Sequence, residues 1–145
     1  MIFRRMQETD LDKVVWLEKE IFTTPWSRTS FQESLEKTYS YFFVAQEKEV
    51  VGYCGIHNLG GDGEITNVAV DKNWRKKHVA HSMLEFAMRE AEKEGVEAFT
   101  LEVRVSNTPA IKLYEKLGFV NQGIRKNFYQ NPVEDAIVMW KNKEN

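Results

Sequence analysis

The sequence predicts an α/β fold: a mixed, mostly antiparallel central sheet flanked by helices. Two observations carry this. The middle of the chain holds runs of strand length rich in aromatic and β-branched residues. The second half then alternates between period-two and helical patterning, strand, helix, strand, helix. The full order reads β-α-α-β-β-β-α-β-α-β-β.

Residues 2–4 read as a short first strand. Residues 10–22 place Leu11, Val14, Val15, Leu17, Ile21 and Phe22 at helical spacing, with Thr9 as the expected cap. Pro25-Trp26 breaks that helix, and Ser27 caps a second, short one with Phe31 and Leu35 on one face. Residues 41–46 and 50–58 are strands joined by a hairpin at Lys48-Glu49. Gly60-Gly61-Asp62-Gly63 lacks the Gly-Lys-Ser/Thr ending of a phosphate loop and reads as a turn. Residues 64–70 form another strand. Val79, Ala80, Met83, Leu84, Ala87, Met88 and Ala91 then mark a helix that Gly95 ends. Residues 98–105 alternate Phe99, Leu101, Val103 and Val105 against Thr100, Glu102 and Arg104. Thr108-Pro109 reads as a cap followed by proline at the first helical position, and this helix stops at Gly118. Residues 119–122 and 136–140 supply the last two strands.

Bulk properties narrow the function classes. A chain of 145 residues without repeat, linker or low-complexity tract fits one domain, 1–145. No apolar run reaches the roughly 20 residues of a membrane span, and residues 1–8 lack the apolar stretch of a secretion signal. Cys54 has no partner for an internal disulfide and lies in an apolar run, as a buried thiol in a reducing cytoplasm would. The formal net charge of −2 disfavours a nucleic-acid binder. The cations are nonetheless clustered: Arg75, Lys76 and Lys77 are consecutive, and His78 follows. A local basic cluster on a near-neutral chain suits a small anionic ligand.

From Val68-Ala69-Val70 a strand runs into that basic loop, and the loop runs into a helix start at Val79-Ala80. Helix N-termini carry unpaired N–H groups and partial positive charge, so the junction is either an anion site or a solvated basic loop. His78 and His81 are three apart on a helix, but no third ligand with suitable spacing accompanies them, and no metal is expected.

The junction resembles the GCN5-related N-acetyltransferase (GNAT) superfamily. That superfamily marks its acetyl-CoA site with Arg/Gln-x-x-Gly-x-Gly/Ala. Arg75, Lys76, Lys77, Val79 and Ala80 fit, and His78 stands where the glycine belongs. Histidine tolerates the left-handed region better than most residues and keeps its backbone N–H. Its ring is placed either to donate to a phosphate or to obstruct one. A second segment is similar to the same superfamily: Asn107-x-x-Ala110-x-x-Leu113-Tyr114-x-x-x-Gly118-Phe119 matches at fixed spacing and follows the first in the right order. The resemblance implies the GNAT fold and acetyl-CoA as co-substrate, held by Val68, Ala69, Val70, Arg75, Lys76, Lys77, His78, Val79, Ala80, His81 and Asn107.

Acetyl transfer to an amine needs a neutral amine, a stabilised oxyanion and a leaving thiolate that is solvated or protonated. Backbone N–H groups on a splayed strand serve the oxyanion, and the resemblance assigns these to residues 68–70. By periodicity Tyr114 is a core aromatic on a buried helix face, and by alternation Glu102 is a solvent-facing strand residue. The resemblance narrows to the ribosomal-protein alanine N-acetyltransferase branch, the RimI type, and covers nearly the whole chain. The residues carrying it are Pro25-Trp26-Ser27, Asn67-Val68-Ala69-Val70, Leu101-Glu102-Val103-Arg104, Arg125-Lys126-Asn127-Phe128-Tyr129 and Glu134-Asp135-Ala136-Ile137-Val138-Met139. It implies Glu102 as proton acceptor, Tyr114 as proton donor, and the N-terminal alanine amine of a small-subunit ribosomal protein as acceptor.

The α-amine is the easier nucleophile. With a reference pKa of about 7.8 it is roughly 30% neutral at cytoplasmic pH, against about 0.1% for a lysine near 10.4. Proton transfer from a reference phenol to a thiolate is uphill by roughly 2 kcal/mol, so Tyr114 acts first as a hydrogen-bond donor. An ordinary carboxylate is a weak base for an amine, so an ordered water relay or a strengthened base is needed. Trp26, Tyr129, Glu134 and Asp135 read as the lining of a peptide groove, the acids meeting a basic peptide. Trp26 reads equally as a core anchor and the acids as surface charges. The expected partner is an N-terminal peptide, with no direct nucleic-acid or membrane contact and a monomer or weak dimer. Two other readings stand beside this one: an acetyltransferase for a lysine or small-molecule amine, and a non-catalytic acyl-CoA-binding module.

Overall fold

The computed structural model describes residues 1–143. Strands β1 (Ile2–Arg5), β2 (Ser40–Gln46), β3 (Val50–Leu59), β4 (Asp62–Val70), β5 (Ala98–Arg104), β6 (Val120–Tyr129) and β7 (Glu134–Asn142) share one sheet. Helices α1 (Leu11–Ile21), α2 (Arg28–Glu36), α3 (Val79–Lys93) and α4 (Thr108–Lys116) flank it. The strand order is β1-β2-β3-β4-β5-β7-β6, antiparallel at every junction except β4–β5. The predicted α/β class and element order are therefore observed.

Alternation along each strand sorts the core into two layers. Tyr41, Phe43, Cys54, Ile56, Phe99, Leu101, Val103 and Met139 pack beneath α3 and α4. Phe42, Val44, Tyr53 and Ala69 face α1 and α2.

Four local expectations are corrected. Thr9 does not cap α1: it lies inside a 3₁₀ turn, Glu8–Asp10, whose capping box joins Gln7 and Asp10 and whose last residue is the N-cap of the helix. Thr108 is the first residue of α4, not its cap. Asn107 precedes it, and its side chain accepts from the Ala110 N–H. Val105 lies beyond β5 and is exposed. β6 runs to Tyr129, seven residues past its predicted end. It is the edge strand, exposed along most of its length and interrupted by two register shifts, so neither burial nor strict alternation marked it in the sequence. Ser27 is the cap of α2 as expected, accepting from the Ser30 N–H.

The feature that positions the site is the β4–β5 junction. These strands pair at only three rungs, Asp62↔Ala98, Gly63↔Phe99 and Glu64↔Thr100. Above Glu64↔Thr100 they diverge. β4 stays tied to β3 as far as Gly52↔Val70, and β5 stays tied to β7 as far as Arg104↔Ala136. A wedge opens between them. β4 also carries an extra residue here: Gly55 pairs with Asn67 and Ile56 with Ile65, leaving Thr66 as a bulge.

Among the described residues no helix is long and apolar enough to cross a membrane.

Candidate functional site

The basic loop leaves the top of β4. Asp71 accepts from the Asn73 N–H at 2.9 Å and closes a 3₁₀ turn, Lys72–Trp74. Arg75 Nε donates back to the Val70 carbonyl at 3.2 Å, and Lys77 Nζ lies 5.3 Å from the centre of the Trp74 ring. Lys76 and His78 both adopt positive φ, 60° and 66°. His78 is the residue preceding α3, with ψ 15°, so a histidine occupies the left-handed position for which glycine is suited. The His78 carbonyl accepts the Ser82 N–H at 3.2 Å. The N–H groups of Val79, Ala80 and His81 thus open the helix without intrahelical acceptors. Turn residues alternating into left-handed geometry, followed by free helix N–H groups, form a concave anion nest. The donors suit a pyrophosphate. The His78 ring stacks on His81 at 4.3 Å, and His81 Nδ1 lies 3.2 Å from Glu85 Oε1.

Val68 and Val70 point toward the α3 layer, while Asn67 and Ala69 point toward α1 and α2. Alternate residues of this unpaired edge direct N–H groups into the wedge. Asn67 is only 5% exposed, and its Oδ1 has no hydrogen-bond partner. The same holds for Thr66 Oγ1.

On the opposite wall, Glu102 projects from β5 on the α1–α2 face. Its Oε1 meets Arg125 Nη1 at 3.1 Å. Tyr129, at the end of β6, lies within electrostatic reach of Glu102. Burial first, and then the Glu102 charge, push its phenol up to about 12. The Arg104 guanidinium stacks 4.5 Å from the Tyr129 ring centre and donates to the Gln130 and Pro132 carbonyls and to Glu134 Oε1. Glu134 also accepts the Ser106 N–H at 2.8 Å. That bond, with the Arg104 charge, holds its carboxyl below the usual range. Asp135 Oδ1 accepts the Asn127 N–H at 2.9 Å. The two acids thus brace the β6–β7 hairpin beside the wedge.

Tyr114 enters from α4, on the other face of the sheet. Its ring is buried and packs edge-on against Phe119 at 5.9 Å. Burial chiefly, with contributions from Tyr129 and Cys54, pushes its phenol well above the ordinary value. Among the described residues nothing hydrogen-bonds its hydroxyl. Tyr129 therefore interacts electrostatically with both Glu102 and Tyr114. Cys54 is fully buried, and burial pushes its thiol up to about 12. Asn107 spends its side-chain oxygen on the α4 cap.

Trp26 sits apart from this cluster. Its ring packs against Phe31, Phe42 and His57, and its backbone N–H donates to Glu18 Oε2 at 2.9 Å. Glu18 is buried and also accepts the Tyr53 hydroxyl at 2.6 Å. This acid fixes the α1–α2 loop, and nothing in its helical spacing distinguished it from a surface glutamate. Desolvation lowers the pKa of nearby His57. Arg125 drew notice in the sequence only as part of a run, because its partner lies 23 residues away.

The model of the acetyltransferase (GNAT) family matches residues 11–119. A Bacillus subtilis protein named a putative ribosomal protein bS18-alanine N-acetyltransferase is 38% identical, over 94% of this chain and 92% of its own length. An N-alpha-acetyltransferase of Sulfurisphaera tokodaii is 33% identical, over 94% and 89%. The crystal structure of the ribosomal-protein-S18-alanine N-acetyltransferase from Escherichia coli superposes with a TM-score of 0.88 at 30% identity, covering 97% of this chain and 92% of that one.

Proposed function

Since the chain belongs to the acetyltransferase (GNAT) family, we propose that it transfers the acetyl group of acetyl-CoA to the α-amine of an N-terminal alanine on a small-subunit ribosomal protein, in the cytoplasm. The observation that carries the reading is the wedge. One wall bears a carboxylate, the opposite face of the sheet bears a neutral phenol, and an anion nest closes one end. Relatives named a ribosomal protein bS18-alanine N-acetyltransferase and an N-alpha-acetyltransferase support the acceptor class.

In this reading the nest at residues 75–81 holds the pyrophosphate of acetyl-CoA. The bound thioester supplies an activated acetyl carbon. Glu102, directly or through a water, takes a proton from the acceptor amine. N–H groups of residues 68–70 stabilise the charge that develops on the carbonyl oxygen. A C–N bond forms, the C–S bond breaks, and the leaving thiolate receives its proton from the Tyr114 hydroxyl. Burial of that phenol keeps it protonated across neutral pH and makes full transfer costlier than the reference values imply. Tyr114 therefore stabilises the leaving thiolate first as a hydrogen-bond donor, before the proton is passed to sulfur. Tyr129, Glu134 and Asp135 flank the acceptor's path, the last two through the hairpin they brace, while Trp26 serves as a core anchor of the α1–α2 loop. Asn107 and His81 support the nest and the α4 start.

The test is mass spectrometry of alanine-terminated peptides incubated with the protein and acetyl-CoA. One acetyl group on the terminal nitrogen is expected. Glu102→Gln and Tyr114→Phe are each expected to lower kcat by about 10²-fold, the scale of positioned proton transfer. Modification of lysine side chains or small amines, with terminal nitrogens untouched, would move the assignment to the other acceptor class. Acetyl-CoA binding without any acetylated amine would make the chain a binding module.

A further inference from the structure

The carboxylate of Glu102 does not face the wedge alone. Its side chain is 17% exposed and meets Arg125, whose side chain is 58% exposed, at 3.1 Å. The pair bridges strands that are not neighbours. β7 lies between them, with Val138 opposite Glu102 and Ala136 opposite both Arg125 and Arg104. A methyl group at Ala136 leaves room for the long arginine chain to cross above β7 toward β5.

A lone carboxylate beside the acceptor has a drawback. An opposite charge nearby favours the charged form of an amine. It would hold the acceptor as an ammonium, which has no lone pair for attack. A guanidinium on the same carboxylate offsets that field. Among the described residues, the other ionisable groups near Glu102 do not supply the offset. Arg104 is bonded to Glu134, the Tyr129 and Tyr114 phenols are uncharged, and Glu64 on β4 adds only a further negative charge at the last rung. Arg125 is the cation that meets Glu102.

We propose that Arg125 is a positioning residue for the acceptor amine: acting through Glu102, its charge keeps the bound amine in the neutral, nucleophilic form. The inference rests on the reading of Glu102 as proton acceptor.

Steady-state kinetics on an alanine-terminated peptide tests it, comparing the wild type with Arg125→Gln and Arg125→Lys. Measurements run from about pH 6.5 to about pH 9, a window spanning the reference α-amine value. At neutral pH Arg125→Gln is expected to lower kcat roughly fivefold, the scale of a partly exposed charge pair. Its peptide KM should stay level or fall, because the ammonium form binds the bare carboxylate well. Its kcat should approach the wild-type value at the alkaline end, and Arg125→Lys should keep most of the activity. Acetyl-CoA KM should not move. A merely structural arginine would instead raise peptide KM, at all pH values, and lysine would not rescue it. That pattern overturns the proposal, as does a wild-type kcat in Arg125→Gln. If the wild type acetylates no α-amine, the proposed function falls and this inference with it. If it does, beside an equally active Arg125→Gln, this inference falls alone.

Discussion

His78 holds a left-handed backbone at the start of α3, with φ 66°. A non-glycine residue there carries strain of about 1–2 kcal/mol. Its ring lies against His81 at 4.3 Å, so part of that strain is offset by stacking. His78→Gly should therefore raise thermal stability, by about 1 kcal/mol at the transition, measured by differential scanning calorimetry. Titration calorimetry of the same variant reads acetyl-CoA affinity. Tighter binding identifies the imidazole as an obstruction, and weaker binding identifies it as a phosphate ligand. The conformational demand was legible because a motif glycine is missing, but the stack was not. Ring stacking between residues three apart depends on rotamers that spacing alone leaves open.

At the scale of elements, strand β3 shows how tightly the two layers are fitted. A Cβ on Gly55 would lie 2.4 Å from two atoms of the Phe42 ring. Phe42 is buried, and it packs in turn against Phe31, Trp26 and His57. Gly55→Ala should therefore lower stability by about 1–3 kcal/mol, read from chemical denaturation, and shift the loop that Trp26 anchors. Elements with a clean period were legible from sequence: α3, β2, β3 and β5 fall within a residue or so of their predicted bounds. β6 was not, since an exposed, bulged edge strand has no buried face to impose alternation. The cap expected for α1 lies one residue early and that for α4 one residue late, because an Asx and a Thr side chain stand side by side at each helix start. Which of them bonds is decided by the incoming backbone, β-extended at Gln7 and irregular at Asn107.

For the molecule as a whole, the informative feature is where the sheet fails to close. The residues proposed for cofactor binding and for proton transfer are far apart in the chain, at 68–81 and 102–129, and in the proposed reading the wedge joins them. The resemblance supplied Glu102, Tyr114 and the basic loop. The Glu102–Arg125 pair and the Glu18–Tyr53–Trp26 network became visible only in three dimensions, since each joins residues on different elements. Binding in the wedge should stabilise the protein by mass action. At a hundredfold excess of acetyl-CoA over its Kd the gain is about 2.7 kcal/mol. Thermal scans with and without acetyl-CoA check this, and no shift at saturating ligand would count against the nest as its site.

Within the sheet, β4 and β5 pair at only three rungs, where a four-stranded half meets a three-stranded one. Every other internal strand edge is satisfied along most of its length by a neighbour. Above Glu64 the edge of β4 that faces β5 pairs with no strand, while its other edge stays bonded to β3. A bound substrate with amides of its own would then act as the missing eighth strand, present only while catalysis proceeds. The amides of residues 65–70 that face the wedge would exchange with solvent readily in the free protein and slowly in the complex. The sheet's completeness, and not only its active site, would report the catalytic cycle.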